Sequence, residues 1–212
     1  AAAVTVESGS LAKLLSACVF PAGLSMVILA GSELFTGNCL MVMALLERRI
    51  TPAQLLRNWL TVYLGNAMGG AAVAALAVYS HTASLFGDGL ARSMVSIAES
   101  KAALGAGDAF LRGVLCNFLV CLAVWMAAAS KRAEGKVIAL FFPILLFVLC
   151  GYEHCIANLY YLPAGAFAAA EYGMETTLTL AGCLKNLAAV TLGNLVGGAA
   201  LGVGYRFAYL KE

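Results

Sequence analysis

The sequence predicts an all-α membrane protein in which two halves repeat the same broken helix. Of its 212 residues, 62% are hydrophobic and 11% are charged, whereas soluble domains are about 25% charged. The motif G-x-E-x-x-x-x-N interrupts two long apolar runs, at residues 31–38 and at residues 151–158. An ionisable group inside a membrane span is costly and is a candidate for function. Breaks at matching places in two halves are typical of transport sites.

Apolar runs of sufficient length to cross a bilayer core of about 30 Å predict five spans, two of them broken. In the first broken span, the run Leu11 to Ala30 precedes the break and a half-helix, Cys39 to Leu46, follows it. Thr51 and Pro52 suit the N-cap and the first position of the next helix, which ends near Tyr79. The other predicted spans are residues 108–130, the broken span 137–170 and residues 180–210.

The stretch between residues 80 and 107 is too polar to cross a membrane. It contains charged residues and several glycines, among them Arg92, Glu99 and Lys101. We expect a surface loop with one short helix at residues 89–98.

The orientation follows from the uneven distribution of Lys and Arg. These residues concentrate near positions 48–57, 131–136 and 206–211, and the three regions alternate with the loops at 80–107 and 171–179. Loops rich in Lys and Arg remain in the cytoplasm. The sequence therefore predicts a multi-pass protein of the cell membrane, bacterial inner membrane or plasma membrane, with a cytoplasmic C-terminus.

A second repeat supports two inverted halves within a single channel domain spanning residues 1–212. The motif L-G-N-x-x-G-G-A occurs at residues 64–71 and 192–199, so the halves cover about 1–79 and 108–210. The second half has a complete span ahead of its break, whereas the first has only residues 1–10 there. We therefore expect that the first span is largely missing. The G-x-x-x-G pairs of both motifs predict close helix packing.

His154 is the only histidine in an apolar span. An imidazole titrates near neutrality and can give a hydrogen bond or a proton to an anion, although a lone buried histidine is often structural. Glu33 and Glu153 occupy equivalent positions and form either a proton or cation site or a support for the breaks; bare carboxylates repel anions, which favours support. Thr36 and Asn158 offer hydrogen bonds at the breaks.

Other classes of function find little support. The net charge of +2 does not indicate nucleic-acid binding. No nucleotide-binding, catalytic or metal-binding motif is present, so we expect no catalytic residue, no metal and no cofactor. The seven cysteines lie in or beside apolar runs without a C-x-x-C pair, and we interpret them as buried free thiols. They are residues 18, 39, 116, 121, 150, 155 and 183.

Four stretches together resemble the formate/nitrite transporter family: residues 30–37, residues 57–60 with 65–66, residues 116–126 and residues 151–158. The resemblance extends over the whole chain. It implies an aquaporin-like fold of two inverted three-helix halves and a homopentamer with one pore in each protomer. It also implies conduction of small monovalent anions such as formate, nitrite or hydrosulfide.

The resemblance also implies roles for individual residues. His154 corresponds to the central pore histidine, with Asn117 and Asn158 as polar companions and Thr36 in the first break. Lys101 corresponds to a lysine near the outer vestibule, Glu153 matches the family's Glu before the histidine, and Glu33 stands where an acidic residue is usual. The apolar constriction positions are Leu24, Leu34, Phe35, Val120 and Phe147.

Together these observations predict a channel rather than an enzyme. We expect His154 to pass a proton to the anion, so that a weak acid crosses as a neutral species. A proton-coupled anion symporter is the alternative within transport, and a membrane-embedded enzyme is less favoured because no nucleophile–base pair is legible. A structural protein or receptor would not need two polar breaks.

Overall fold

The computed structural model describes residues 9–209, and every regular element in that range is helical. Single 3-10 turns lie at Cys39–Met41 and Thr82–Ser84. The expectations for residues 1–8 and for the end of the last span at residue 210 lie outside the described residues. The helices are α1 (Gly9–Val19), α2 (Pro21–Ala30), α3 (Phe35–Asn38), α4 (Val42–Leu46), α5 (Pro52–Tyr79), α6 (Gly89–Ala103), α7 (Ala106–Ala129), α8 (Ala133–Leu149), α9 (Cys155–Glu171) and α10 (Leu180–Tyr209).

Within residues 9–209, four segments are long and apolar enough to cross a membrane: α1 with α2, α5, α7 and α10. Helices α8 and α9, with 17 residues each, lie on either side of the second break. The predicted arrangement of five spans, two of them broken, is confirmed.

The predicted start of α5 is also confirmed. The Thr51 side chain accepts the Gln54 N–H at 3.2 Å, and the Gln54 side chain accepts the Thr51 N–H at 2.8 Å. This reciprocal capping box satisfies two donors that a helix start leaves free, and Pro52 loses no hydrogen bond at the first position. The first apolar run is divided at Phe20, because Pro21 has no N–H with which to continue α1.

The half-helix after the first break begins earlier than the sequence indicated. We expected it at Cys39, but helical structure begins at Phe35 and continues to Leu46 through one 3-10 turn. The polar Thr36 and Asn38, which suggested an irregular loop, lie within this first helical turn. The break itself is therefore short, and its polar side chains are held by a helix.

The prediction of a surface loop at residues 80–107 is wrong for its second half. Helix α6 continues to Ala103 and packs against α9, where Gly165 leaves room for the Ala98 methyl group. The charged residues obscured a buried stripe with helical spacing, which consists of Ala91, Met94, Val95, Ala98 and Ala102. Lys101 therefore lies on a packed helix, not in a solvated loop.

Hydrogen bonds to Glu99 tether the loop before α10 to α6. Its carboxylate accepts the Thr177 N–H at 2.7 Å and the hydroxyl groups of Thr176 and Thr177 at 2.9 and 3.2 Å. The Thr177 N–H contributes most to lowering the pKa of Glu99 below its usual range. The loop thus positions the start of α10 against α6.

The two glycine motifs differ in their packing. On α10, a methyl group at Gly193 or Gly197 would lie 2.2 or 2.1 Å from a backbone carbonyl oxygen of α7. On α5, the equivalent Gly65 and Gly69 have no described neighbour within 4 Å of such a methyl group. The predicted close packing is confirmed for α10 and is wrong for α5 within residues 9–209. Helix α7, which precedes the second break, fills the glycine face of α10. On α5, Gly70 is the one glycine of the motif that meets a described helix, since a methyl group there would lie 3.0 Å from the Leu159 carbonyl oxygen of α9.

This difference predicts unequal effects of one methyl group at equivalent positions. Gly197→Ala should lower the free energy of unfolding by about 1–3 kcal/mol, because the α7 backbone must move. Gly69→Ala should be neutral or stabilising, since alanine favours a helix over glycine. Thermal unfolding of both variants in mild detergent measures the effects. Equal losses would contradict the different packing of the two faces.

Candidate pore site

The two breaks have nearly the same backbone. Gly31 and Gly151 each end a helix with φ of 71°, a left-handed conformation that glycine adopts readily. Each glycine precedes three non-helical residues, and the last of these has φ and ψ of −127° and 119° at Leu34 and −117° and 116° at His154. The predicted breaks are confirmed, and the repeat of the sequence is also a repeat of backbone geometry.

Asn194, from the second glycine motif, satisfies the backbone at the second break. Its Oδ1 accepts the Cys155 N–H at 2.8 Å, and its Nδ2 donates to the carbonyl oxygens of Glu153 and Gly113 at 3.0 and 2.8 Å. A broken helix exposes such groups, which have no water to bind in a bilayer core. One fully buried amide therefore stabilises the break and ties it to α7.

Asn66 has the same role at the first break. Its Oδ1 accepts the Phe35 N–H at 3.1 Å and its Nδ2 donates to the Glu33 carbonyl at 3.1 Å. Neither this asparagine nor Asn194 was expected to have a role, because the glycines around them indicated helix packing. Asn66 and Asn194 occupy the same place in the repeated motif, and this equivalence was the signal of a shared role.

Four polar residues form a closed ring beside the second break. Lys101 Nζ lies 3.0 Å from both carboxylate oxygens of Glu153. Asn158 Nδ2 donates to Glu153 Oε2 and to Asn186 Oδ1, at 2.7 Å each, and Asn186 Nδ2 donates to the Lys101 carbonyl at 2.8 Å. The Glu153 charge is thus both paired and hydrogen-bonded, as a buried charge requires.

The first break has part of this ring. Asn38 donates to the Glu33 carboxylate and, at 2.9 Å, to Asn58 Oδ1. Glu33 has no ion pair with any residue of the described range 9–209. The acid–amide–amide arrangement is therefore repeated, whereas the lysine is found at the second break.

His154 connects the two breaks. Its Nδ1 accepts the Ala157 N–H at 3.1 Å, and its Nε2 lies 3.0 Å from Thr36 Oγ1. A backbone N–H can only donate, so Nδ1 must present a lone pair. The ring proton then lies on Nε2 and is donated to Thr36. In this arrangement the imidazole is neutral, caps α9 and binds a hydroxyl group of the opposite half.

Asn117 and Asn158 do not offer free donors next to His154. Asn117 Nδ2 donates to the carbonyl oxygens of Thr36 and Asn194 at 3.2 and 2.7 Å, and both bonds of Asn158 Nδ2 belong to the ring around Glu153. We expected both amides to accompany an anion in the pore. The contacts instead make them part of the framework that holds Thr36 and Glu153.

The structure brings four of the five expected constriction residues together. Leu24, Val120 and Phe147 lie in one buried cluster, and Leu34 packs against it. The Phe147 ring stacks on the His154 ring with 5.9 Å between centroids. An apolar layer therefore covers the imidazole.

The aromatic residues depart from the expectation in two ways. Phe35 lies in another cluster, where it contacts Trp59 and Tyr63 of α5 with centroids 6.4 and 5.0 Å away. Phe20, which the sequence analysis missed, contacts Phe147 edge to face at 5.4 Å. Its spacing of one helical turn before Leu24 was the signal that it shares that face.

The cysteines are free, as predicted, although two of them are exposed and Cys183 is only partly buried. Cys18 and Cys150 are exposed on the protomer surface. Within the described part of the chain, no group of three His, Cys, Asp or Glu residues has the arrangement of a metal site. The remaining thiols lie in the interior or at its edge; they are Cys39, Cys116, Cys121, Cys155 and Cys183.

A cavity of about 410 Å³ leads from the side of α6 to His154. We call it the α6-side cavity. Its charged lining consists of three cations, Lys13, Lys101 and Arg112, and the carboxylate of Glu153. Phe20 and Phe147 also line it, so cationic groups and aromatic rings share the cavity that reaches the imidazole.

A profile of the formate/nitrite transporter family matches residues 1–208. The chain belongs to the formate/nitrite transporter family. It is 39% identical over 218 residues to a probable formate transporter of Methanothermobacter thermautotrophicus, covering 95% of this chain and 77% of that one. It is 38% identical over 211 residues to the formate channel FocA of Haemophilus influenzae, covering 93% and 74%.

Solved structures of the family support the fold. One described as an FNT family ion channel superposes with a TM-score of 0.86 at 34% identity, covering 96% of this chain and 80% of that one. Another, described as a pentameric formate channel with formate bound, gives 0.84 at 32% identity, covering 98% and 87%. These relatives are channels and transporters rather than enzymes, in agreement with the sequence analysis.

The amide framework predicts a strong effect of Asn194→Ala. This change leaves the Cys155 N–H and two carbonyl groups without their partner, and an unsatisfied buried group costs about 1–3 kcal/mol. Thermal unfolding in detergent should show a large loss for this variant. Asn66→Ala, which removes two bonds at a less buried site, should lose less. A greater loss for Asn66→Ala would contradict the assigned roles.

Proposed function

We propose that this protein is a channel for formate and for similarly small monovalent anions, among which we include nitrite and hydrosulfide. The observation that carries the proposal is the hydrogen bond between His154 and Thr36 at the end of a cation-lined cavity. The relatives described as formate channels and the solved channel described with bound formate support it. A polar centre enclosed by apolar residues favours a channel that selects anions by size and charge over an enzyme that changes its substrate.

The anion loses water in stages as it approaches the imidazole. Phe147 and Phe20 narrow the path without offering hydrogen bonds, so an ion that passes them sheds most of its hydration, and this is costly. The Nε2–H of His154 then takes the place of water as a donor, after Thr36 gives up that bond. The Thr36 hydroxyl can turn and donate as well, since a hydroxyl group is both donor and acceptor.

Transfer of a proton to the anion requires a second proton on His154. In that step the Nε2–H bond breaks, an O–H bond forms on formate, and a ring protonated at Nδ1 remains as neutral imidazole. A protonated Nδ1 cannot accept the Ala157 N–H, so charging the ring uncaps α9. Hydrogen bonding without transfer gives an anion channel, and obligatory transfer gives the alternative, a proton-coupled symporter.

The first break is the mobile gate in this proposal. Thr36 is bonded to His154 and Asn117, the Phe35 N–H is bonded to Asn66, and Leu34 and Phe35 pack in separate apolar clusters. Opening releases these side-chain contacts, whereas α5 and α7 have continuous helical hydrogen bonding. An anion that replaces Thr36 at Nε2 therefore couples its own passage to opening.

The protein forms a single domain, residues 1–212, with repeat halves at about 1–79 and 108–210, and assembles as a homopentamer in the cell membrane. Its basic loops and C-terminus lie in the cytoplasm. The exposed apolar side chains of α5, such as Leu60, Met68 and Leu76, support burial in lipid or against other protomers. Mass measurement in mild detergent should give five copies, and a monomer would contradict the assembly.

Flux into liposomes tests the function and the role of His154 together. The parent protein should carry formate, nitrite and hydrosulfide faster than empty liposomes, and flux should increase as pH falls because more His154 carries a second proton. His154→Phe keeps an aromatic ring but cannot titrate, so its pH response should disappear. His154→Asn retains a donor and should conduct anions without pH control.

Each comparison is made at a fixed anion concentration after subtraction of empty liposomes, because neutral acids cross lipid unaided. Absence of flux in the parent protein would reject the channel. Equal pH responses in the parent and both variants would reject proton transfer and leave His154 with a structural role. Flux that moves one proton with every anion at all pH values would favour the symporter.

A further inference from the structure

Lys101 lines the α6-side cavity, but its charge is already neutralised. Its ammonium group is held by both oxygens of Glu153 at 3.0 Å, and the side chains are 15% and 8% exposed. The ring of Tyr161 also lies 5.4 Å from Nζ. At a distance, a closely paired lysine and glutamate act as a dipole, whose attraction decreases faster than that of a free charge. Lys101 is therefore poorly suited to draw anions from solution.

Lys13 reaches into the cavity from α1. Its Nζ lies 3.1 Å from the place that a Cβ at Gly151 would occupy, so the ammonium group sits directly over the second break. No carboxylate within residues 9–209 forms an ion pair with it. Lys13 thus places its positive charge over Gly151, which precedes His154 by three residues in the chain.

Arg112 lies on the α7 side of the same break. Its carbonyl accepts the Glu153 N–H at 3.3 Å, and its side chain lines the cavity. It also has no ion pair in the described part of the chain. Asp108, one turn earlier on α7, is not among the residues that line the cavity.

Three backbone N–H groups of the second break are already bonded. The N–H groups of Gly151, Tyr152 and Glu153 each donate to a carbonyl oxygen of the chain. At a distance, attraction in this cavity therefore depends chiefly on side-chain charge. With the Lys101–Glu153 pair neutral, Lys13 and Arg112 leave the cavity with two positive charges.

We infer that Lys13 and Arg112 form the site where a small monovalent anion is first captured, ahead of His154, and that Lys101 serves to hold Glu153 in place. This inference rests on the proposed function, because it assigns the first step of the same conduction path. Lys13 comes from α1 and Arg112 from α7, and both line the cavity that reaches His154, which suits an anion held by both cations.

Neutral substitutions test the capture site at low anion concentration. Lys13→Gln and Arg112→Gln should each lower initial formate flux about three- to tenfold at low ionic strength, and the double variant should lower it further. Added inert salt should reduce the difference in formate flux between the variants and the parent. At 0.15 M salt, charges are screened over a Debye length of about 8 Å. At saturating formate the variants should approach the parent rate.

Three further variants separate local charge from other effects. Lys185→Gln removes an exposed lysine of α10 that does not line this cavity, and its flux should match the parent. Lys13→Arg keeps the charge and should retain flux. Lys101→Gln should lower flux at every salt concentration and should lower thermal stability, because Glu153 loses its partner.

A chemical test on assembled protein covers variants that fold poorly when charge is removed. A thiol reagent that attaches an ammonium group should restore the formate flux of Lys13→Cys. A reagent that attaches a sulfonate should lower that flux. The parent, treated in the same way, accounts for Cys18 and Cys150. If the parent conducts formate and the Lys13 and Arg112 variants conduct it as fast as Lys185→Gln, the capture site is wrong. The proposed function would stand. No flux in the parent would reject the proposed function itself.

Discussion

The structure depends on satisfying the backbone where two helices are broken inside a membrane. Each break frees N–H and carbonyl groups that water cannot reach, and each places a carboxylate nearby. At the second break Asn194 satisfies the backbone, and the ring of Lys101, Glu153, Asn158 and Asn186 pairs the carboxylate and bridges three helices. With Asn194 on the backbone, this ring fixes the place where α9 starts and therefore the direction of the His154 ring.

The same framework supports two unlike side chains. Both halves have the glycine, the carboxylate and the amides in equivalent places, yet the final extended position is Leu34 in one and His154 in the other. The imidazole binds Thr36 of the opposite half, and Asn117 donates to the Thr36 carbonyl, so polar bonds from the second half meet at this one residue. His154 combines two structural contacts, because it caps α9 and also reaches the first break.

Much of this arrangement was predictable from the sequence, because membrane spans, their breaks and a repeated motif are local patterns of hydropathy. The capping box at Thr51 and the break at His154 are of this kind. The full length of α6 was not predictable by composition, since Arg92, Glu99 and Lys101 hide the apolar stripe behind them. Nor could spacing reveal that Lys101 meets Glu153, 52 residues later. The hydrogen-bond partners of Asn117 are likewise set by tertiary contacts, and a local sequence motif does not reveal them.

The equal backbone geometry of Leu34 and His154 has a consequence for how such pores diversify. A histidine in place of Leu34 would find an extended backbone at the start of a helix, with the Gly37 N–H where His154 has the Ala157 N–H. The two breaks thus offer equivalent backbone positions for a titratable side chain. A single substitution at Leu34 would therefore add a second imidazole without rebuilding the scaffold.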